Sequence, residues 1–188
     1  RFKVRVTYRV LLVDLREWAK RRGHHALVRD RSLRLKRFVT STTRAPRRGE
    51  KNGKDYWFLS REEFEKGIAS NNFYEWANVY GEYYGSDKTR MENARQESGS
   101  IILTLDTRGA ETLKRIHPDA LVIFIDAPLA KLRERLLRRN STPTEFKTRL
   151  QQITFEKNWK HHADFIVMNR EGALEKTVAQ IKAFIKSR

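Results

Sequence analysis

Several short runs of the chain are apolar at nearly every position, and this feature restricts the possible folds more than any other. The runs SIILTLD, ALVIFIDAP and DFIVMN lack the alternation of apolar and polar residues that a half-exposed strand shows. YRVLLVDL, near the start, is of the same kind. Such strands are buried on both faces, as in a parallel sheet covered by helices. Because helical stretches separate them, the pattern predicts an α/β fold with three layers, α/β/α, around a parallel core sheet.

The stretch from residue 47 to residue 84 departs from this alternation. It opens with the turn-rich RRGEKNGKD, continues with a strand, YWFLS, and reaches a helix for which Ser60 is the N-cap and Glu63 completes a capping box. The hairpin-like FYEWANVYGEYYGS follows. We expect one domain of 188 residues, with a core at about 1–46 and 85–188 and an inserted β-rich subdomain at about 47–84.

The first part of the core has three predicted elements. YRVLLVDL is predicted as a buried strand rather than part of a signal peptide, because Asp14 and Arg16 interrupt the apolar run and no small-residue cleavage site follows. REWAKRRGHHALVRDRSLRL is predicted as a helix with Gly23 as its weak point. KRFVTST is predicted as a second strand.

The chain is strongly basic, with 40 lysines and arginines against 23 aspartates and glutamates and a formal net charge of +17. Such an excess attracts polyanions whatever the fold, so nucleic acids and nucleotides are both candidate ligands. The absence of cysteine excludes disulfides and cysteine zinc sites and is compatible with the reducing cytoplasm, where we expect this protein. No apolar run approaches membrane-spanning length, so no membrane partner is expected.

The stretch TSTTRAPRRGEKNGKDYWF, residues 40–58, has an order that a solvated basic surface does not require. Arg44 and Arg47 stand three residues apart, behind a run of hydroxyl side chains and ahead of a Gly-rich turn that ends in Tyr56. A phosphate monoester has only acceptor oxygens, and forked guanidinium groups with short hydroxyl donors are suited to hold it. The order predicts a nucleoside-monophosphate pocket, although two such arginines taken alone are more often solvated.

Four blocks of the sequence, in this order and spacing, resemble the guanylate kinase family: TSTTRAPRRGEKNGKDYWFLSREEF, FYEWANVYGEYYGS, LTLDTRGAETLKR and FIVMN. The match runs from about residue 37 to the end of the chain. Members of this family have a P-loop kinase-like fold and transfer a phosphoryl group from ATP to GMP with Mg²⁺, while a lid and the GMP-binding subdomain close. The resemblance therefore implies GMP and ATP as ligands and a short lid at about 138–145.

The resemblance also implies a set of GMP-binding residues. Arg44, Arg47 and Tyr56 would hold the phosphate, and Glu75 would accept hydrogen bonds from the N1–H and amino groups of guanine, a pair of donors that adenine lacks. Asp106, at the end of LTLD, would orient the arginines or the metal. The full implied set is Thr40, Ser41, Arg44, Arg47, Tyr56, Glu75, Tyr84, Ser86 and Asp106, in which Thr40 and Ser41 are alternatives for one contact.

On the ATP side, the resemblance implies Arg139 and Arg149 as contacts to the phosphates and Asn169 as a contact to adenine. Arg44, Arg139, Arg149 and Asp106 form the implied catalytic group, in which the arginines spread the charge of the transferred phosphoryl group. No metal-binding cluster is predicted in the chain itself, because the two pairs of adjacent histidines point their side chains apart.

The resemblance ends at the phosphate loop for ATP. A P-loop reads G-x-x-x-x-G-K-[ST], so that backbone N–H groups surround the β-phosphate. After the first strand this chain has DLREWAKRRG, with no glycine before Gly23, and Thr104 replaces the first acid of the family's Asp-x-Asp strand. Two interpretations stay open: a degenerate loop, or a reading-frame shift over about residues 14–30. In a shifted frame VDLREWAKRR can be encoded as a full P-loop, and GHHAL as V-I-T-R-L.

Two other functions are compatible with the sequence. A noncatalytic module of the same fold would bind GMP or a phosphopeptide in the cleft. A nucleic-acid-binding protein would use the net charge of +17, although the basic and aromatic stacking motifs of RNA-binding domains are absent. The sequence does not predict an oligomeric state.

Overall fold

The computed structural model describes residues 9–14, 23–79, 81–98, 100–138 and 142–188, with the backbone alone for residues 9–14. The predicted ATP contact Arg139 and most of the segment in place of the P-loop lie outside these ranges. The described strands are β1 (Arg9–Asp14), β2 (Leu35–Arg37), β3 (Ser41–Thr42), β4 (Trp57–Phe58), β5 (Phe73–Val79), β6 (Glu82–Asp87), β7 (Ser100–Leu105), β8 (Leu121–Asp126) and β9 (Phe165–Met168). The described helices are α1 (Gly23–Arg29), α2 (Arg61–Ala69), α3 (Lys88–Ser98), α4 (Thr107–Ile116), α5 (Leu129–Leu137), α6 (Pro143–Trp159) and α7 (Leu174–Lys186), with a 3-10 turn at Lys160–His162.

Within the described residues, the core sheet has five parallel strands in the order β2-β7-β1-β8-β9. β1 lies between β7 and β8, where Leu11 pairs with Leu103 on one side and with Val122 on the other. Every residue of β8 is buried, as the lack of alternation in ALVIFIDAP predicts. The predicted parallel core sheet is therefore confirmed.

Helices cover both faces of the core sheet. α1 and α7 pack on one face through residues that include Leu27 and Ile181. α4, α5 and α6 pack on the other face, where Leu113, Leu132 and Ile153 are buried. The two faces hold separate apolar clusters, so the predicted three-layer α/β/α fold is confirmed. None of the helices described here is long and apolar enough to cross a membrane.

A second sheet, as far as the structure describes it, contains four strands in the order β4-β3-β6-β5. β5 and β6 pair antiparallel, as the hairpin-like sequence predicts. α2 covers one face, where the ring of Phe64 stacks on Phe73 at a centroid distance of 4.3 Å. The predicted capping box of α2 is present: Ser60 Oγ accepts from Glu63 N–H, and Glu63 Oε2 accepts from Ser60 N–H.

The prediction of KRFVTST as one strand is wrong. Its first residues belong to β2 in the core sheet and its last to β3 in the second sheet, because the chain crosses between the sheets at residues 38–40. Backbone bonds mark the crossing: Phe38 N–H donates to Ile102 O in the core, and Thr40 O accepts from Trp57 N–H in the second sheet, both at 2.9 Å. The second sheet thus extends past the expected limits of 47 and 84, since it includes β3 and all of β6.

The prediction of a helix across REWAKRRGHHALVRDRSLRL is wrong beyond Arg29, where α1 ends. Asp30 forms a tight turn there: its Oδ1 accepts from Ser32 N–H at 3.0 Å and from Ser32 Oγ–H at 2.6 Å. A side chain that binds backbone donors in this way competes with a further helical turn. Arg34, with a φ of 50°, then leads the chain into β2. Gly23, the predicted weak point, is the first residue of the described helix.

Candidate active site

The strand register divides the second sheet into two faces, because side chains of paired residues share a face. One face packs against α2: a Cβ built on Gly85 would lie 3.0 Å from the ring of Phe64. Ser41 and Trp57 are in register with Gly85 and share this face. The opposite face, which we call the pocket face, carries Thr42, Phe58, Glu75, Tyr84 and Ser86.

Arg44 lies beside two tyrosines on the pocket face. Its guanidinium carbon is 5.5 Å from the centre of the Tyr56 ring, and the rings of Tyr56 and Tyr84 meet edge to face at 5.9 Å. Glu50 accepts from Arg44 Nη2 through both carboxylate oxygens, at 3.0 and 2.9 Å. Burial alone would lower the pKa of Arg44, but its bonds to Glu50 and Tyr84 raise that pKa above the usual value. The guanidinium group is therefore charged and held in place, as a phosphate site requires.

Glu50 joins the two predicted phosphate-binding arginines. Its Oε2 also accepts from Arg47 N–H at 2.8 Å. Burial would raise the pKa of Glu50, but this backbone bond and the guanidinium charges of Arg44 and Arg47 lower that pKa below the usual value. The side chain of Arg47 is exposed, so a ligand can reach it at the rim of the pocket face. Glu50 was not predicted, although an acid three residues after Arg47 in a basic turn was a usable signal.

Glu75 and Ser86 lie at the other end of the pocket face. Ser86 Oγ–H donates to Glu75 Oε1 at 2.6 Å. The carboxyl group packs against the first turn of α4, where a Cβ built on Gly109 would come within 3.1 Å of Glu75 Oε2. Burial raises the pKa of Glu75 to about 7, with a smaller contribution from the charge of Asp106 and in spite of the bond from Ser86. This carboxyl group can accept two N–H donors presented side by side, which is the pattern on one edge of guanine.

Asp106 is a residue of the core that lies close to Glu75. It follows β7 at the carboxyl edge of the core sheet, where open α/β folds bind their ligands. Its Oδ1 accepts from Gly109 N–H at 2.8 Å and so caps α4. A Cβ on Gly109 would come within 3.1 Å of Glu75 and 3.3 Å of Asp106, so only glycine lets α4 approach both carboxyl groups without displacing them. The structure thus brings together Glu75, Ser86 and Asp106 from the predicted set.

Ser41 does not lie on the pocket face, and its prediction as a ligand contact is corrected here. Strand alternation points it to the side of α2, where it is buried and its Oγ accepts from Arg90 Nη1 at 3.1 Å. Thr40 is the better of the two predicted alternatives. The carbonyls of Thr40 and Thr42 both accept bonds from the neighbouring chain segment, so these two residues share a side of the strand.

The predicted ATP contacts lie on separate elements. Arg149 is half-buried on α6, and Asn169 follows β9, where its N–H donates to Asp126 O at 2.8 Å. Arg139 lies outside the described residues. The roles of all three therefore stay predictions.

The described residues do not fit a metal site held by the protein itself. Among them, no group of three or more histidine, aspartate or glutamate side chains is close enough to hold an ion. On β7, Thr104 supplies only a hydroxyl where the family has an acid, and Asp106 Oδ1 already caps α4. Magnesium would have to arrive bound to the phosphates of ATP.

Comparisons with known proteins identify the family. The family model for guanylate kinase matches residues 10–188. The guanylate kinase of Shewanella oneidensis is 35% identical over 164 residues, which are 86% of this chain and 78% of that protein. The guanylate kinase of Maricaulis maris is 40% identical over 143 residues, which are 73% of this chain and 66% of that protein.

Solved structures give the same result. The crystal structure of guanylate kinase from Anaplasma phagocytophilum superimposes with a TM-score of 0.76 and 27% identity, over 97% of this chain and 86% of that one. Shikimate kinase from Bacteroides thetaiotaomicron, with a TM-score of 0.51 and 11% identity, shares the fold alone. The fold and these comparisons thus define a kinase of the P-loop fold class. The chain belongs to the guanylate kinase family, whose enzymes are ATP:GMP phosphotransferases.

Proposed function

We propose that this chain binds GMP on the pocket face as the acceptor for the γ-phosphoryl group of ATP, and that its GMP site is retained while its phosphate loop for ATP is lost. One observation supports the first half most directly. A single sheet face has a charged arginine beside two tyrosines at one end and a shielded carboxyl group at the other. These are the partners of a phosphate and of a guanine edge, respectively.

The phosphate end would work through donors alone. Arg44 is oriented by Glu50 and still has N–H groups that these bonds do not use, since a guanidinium has five. The hydroxyls of Tyr56 and Tyr84 lie on the same face, and the exposed Arg47 can close over the phosphate from the rim. Thr40 adds a short hydroxyl donor. The site would therefore favour a dianionic monoester over an uncharged nucleoside.

The base end would select guanine through Glu75. In its ionised form this carboxylate accepts from the N1–H and amino groups of guanine, while Ser86 holds one of its oxygens in place. Adenine has an acceptor at N1, where guanine has a donor. Glu75 would therefore have no donor at this position and would face a lone pair. A site built on hydrogen bonds to buried groups rejects such a ligand strongly, because the site's own groups lose their partners.

The ATP half is expected to be impaired. DLREWAKRRG has no glycine at the positions where a P-loop wraps its N–H groups around the β-phosphate. Arg139 and Arg149 would stabilise the charge on the transferred group, and Asn169 would contact adenine, but none of them replaces that loop. We therefore expect phosphoryl transfer from ATP to be lost or severely reduced. The coding sequence over residues 14–30 distinguishes a degenerate loop from a frame shift, since only some codons yield the missing glycines.

Calorimetric titration of the purified chain tests the GMP half. GMP should bind, AMP should show no measurable binding, and Arg44→Met should weaken GMP roughly ten- to a hundredfold because charge-assisted hydrogen bonds are lost. Arg48→Met is the matched control, since Arg48 is an exposed neighbour outside the predicted set. Equal affinity for AMP and GMP, or an equal loss from both substitutions, would contradict the proposal.

A second candidate is a noncatalytic binding module, and the missing glycines of the phosphate loop favour it. It predicts GMP or phosphopeptide binding without turnover. A coupled assay for ADP formation distinguishes an active kinase from a noncatalytic module. Rates typical of guanylate kinases would show that the loop is functional after all. Displacement of GMP by a phosphopeptide library, in the absence of turnover, would favour the module.

A further inference from the structure

We propose that Arg37 and Arg90 are positioning residues that hold Tyr56 in place beside Arg44 and thereby set the geometry of the phosphate pocket. The inference rests on the proposed GMP site. Neither arginine lies on the pocket face, and neither is part of the predicted set. Both come from the core and contact the chain on either side of Tyr56.

Arg37 holds the chain before Tyr56. It is the last residue of β2 in the core sheet. Its Nη1 donates to Lys54 O at 3.0 Å and its Nη2 to Asp55 O at 3.1 Å. Two donors of one planar group thus bind two consecutive carbonyls, which fixes the direction as well as the position of the loop. A lysine ammonium, as a point charge, cannot reproduce this geometry.

Arg90 holds the chain after Tyr56. It lies in the first turn of α3, and its guanidinium carbon is 4.3 Å from the centre of the Trp57 ring. The same group donates from Nη1 to the buried Ser41 Oγ at 3.1 Å. Stacking and a directed hydrogen bond together restrict the guanidinium to one plane. Arg90 therefore fixes both Trp57 and β3, the strand that leads to Arg44.

The loop itself is compact enough to transmit this restraint. Gly53 has a φ of +72°, and its N–H donates to Tyr56 O at 2.8 Å. A Cβ on Gly53 would come within 2.9 Å of the Trp57 ring, so the turn packs directly on that side chain. With Lys54 and Asp55 held on one side and Trp57 on the other, Tyr56 has little freedom to move away from Arg44. Because binding costs less when the site is already ordered, this restraint should increase the affinity for the phosphate.

A double-mutant cycle in GMP affinity tests the inference. Arg90→Lys and Arg37→Lys keep the charge but lose the planar contacts, and each should weaken GMP about tenfold. In the background of Tyr56→Phe, which removes the hydroxyl that they position, each should have less than about a threefold effect, because positioning residues act through Tyr56. Arg61→Lys is the control: Arg61 stacks on Tyr83 at 4.8 Å and donates to Gly81 O on the same sheet, away from the pocket.

The double-mutant cycle distinguishes positioning of Tyr56 from a general structural role. Strong coupling to Tyr56, with Arg61→Lys neutral, would support positioning. Additive losses in the two backgrounds, or an equal loss for Arg61→Lys, would show a general structural role and overturn the inference. Unchanged GMP affinity in both lysine variants would also overturn it. If the unsubstituted chain fails to bind GMP while its circular dichroism shows a folded protein, the proposed function fails first and the inference with it.

Discussion

If Glu75 contacts guanine as proposed, GMP binding should be sensitive to pH, because burial raises the pKa of its carboxyl group to about 7. Only the ionised form accepts both donors of guanine, so GMP affinity should rise with pH up to about 7 and then level off. Below that pH it should fall by up to tenfold per unit. Titrations of GMP from pH 5.5 to 8.5 measure this.

Glu75→Gln separates the carboxyl group from the phosphate of GMP, which itself titrates near pH 6. The variant should bind more weakly at pH 8, since its amide N–H₂ faces donors, and should retain only the pH dependence of the phosphate. If Glu75→Gln and the unsubstituted protein show the same pH profile of GMP affinity, Glu75 does not accept hydrogen bonds from the guanine base.

His24 should make the fold sensitive to acid. It is 5% exposed, and its Nε2 has no hydrogen-bond partner among the residues described. Burial, with the charges of Arg37 and His25, lowers the pKa of His24 from 6.5 to about 4. Between these values the unfolded chain binds a proton that the folded chain does not, so stability falls as pH drops from about 6.5 towards 4.

Urea unfolding measures this effect. At pH 5 the protein should be less stable than at pH 7.5 by about 2 kcal/mol from this group. In His24→Leu the difference should shrink by that amount, and stability at pH 7.5 should rise because a buried nitrogen without a partner is removed. His161→Leu, at an exposed position on another element, is the control. An unchanged pH dependence in His24→Leu would refute the assignment.

Single residues also show how far the sequence could predict the site. Arg44, Glu75 and Ser86 could be proposed from the sequence, because the motifs that contain them occur in the order and spacing of the family. Arg90 could not be predicted, since it contacts Ser41 across 49 positions and no pattern near it marks the contact. The sequence could not decide between Thr40 and Ser41, because neighbouring residues of a strand lie on opposite faces.

At the level of elements, a buried ion pair attaches α6 to the core sheet. Asp126, at the end of β8, has a side chain that is 2% exposed and binds Lys157 of α6, which also donates to Ala127 O at 3.0 Å. Lys160, just beyond α6, is 3.4 Å away. Removing Lys157 would leave the buried Asp126 carboxylate with the more distant Lys160 as its remaining lysine partner among the residues described, so its charge would be only partly compensated.

Lys157→Met should therefore destabilise the protein by roughly 1 to 2 kcal/mol in urea unfolding, whereas Asp126→Leu combined with Lys157→Met should recover most of that loss. Lys131→Met is the control, because Lys131 and Glu134 are 47% and 41% exposed and such pairs contribute less than about 1 kcal/mol. If the double variant is less stable than Lys157→Met, the pair stabilises the fold directly.

Elements with a strong pattern were predictable and the connections between them were not. The unbroken apolar runs identify the core strands, since few other environments tolerate them. KRFVTST has strand-forming residues throughout, but β-propensity does not say which sheet a residue joins. The end of α1 depends on the Asp30 turn, a local competition that helical periodicity does not show. His24 occupies a buried position on α1, which the shifted frame can encode as Ile.

For the whole molecule, the net charge of +17 predicts nonspecific binding to polyanions. Duplex DNA should bind at 50 mM salt and lose at least tenfold in affinity by 200 mM, because counterion release drives the association. GMP affinity should fall much less, since fewer charges take part. Fluorescence anisotropy with labelled DNA, with and without GMP, measures the affinity for DNA. Calorimetric titration at the same salt concentrations measures the affinity for GMP. DNA binding that resists salt and is displaced by GMP would favour the nucleic-acid function instead.

The second sheet is joined to the core by two covalent crossings that lie side by side. β3 enters it through residues 38–40, and its hydrogen-bonded neighbour β6 leaves it directly into α3. With both connections side by side, the four described strands should move relative to the core as one unit. Any closure of this sheet on the core would therefore move Arg44 and Glu75 together. Both ends of a bound nucleotide would then be enclosed in the same movement.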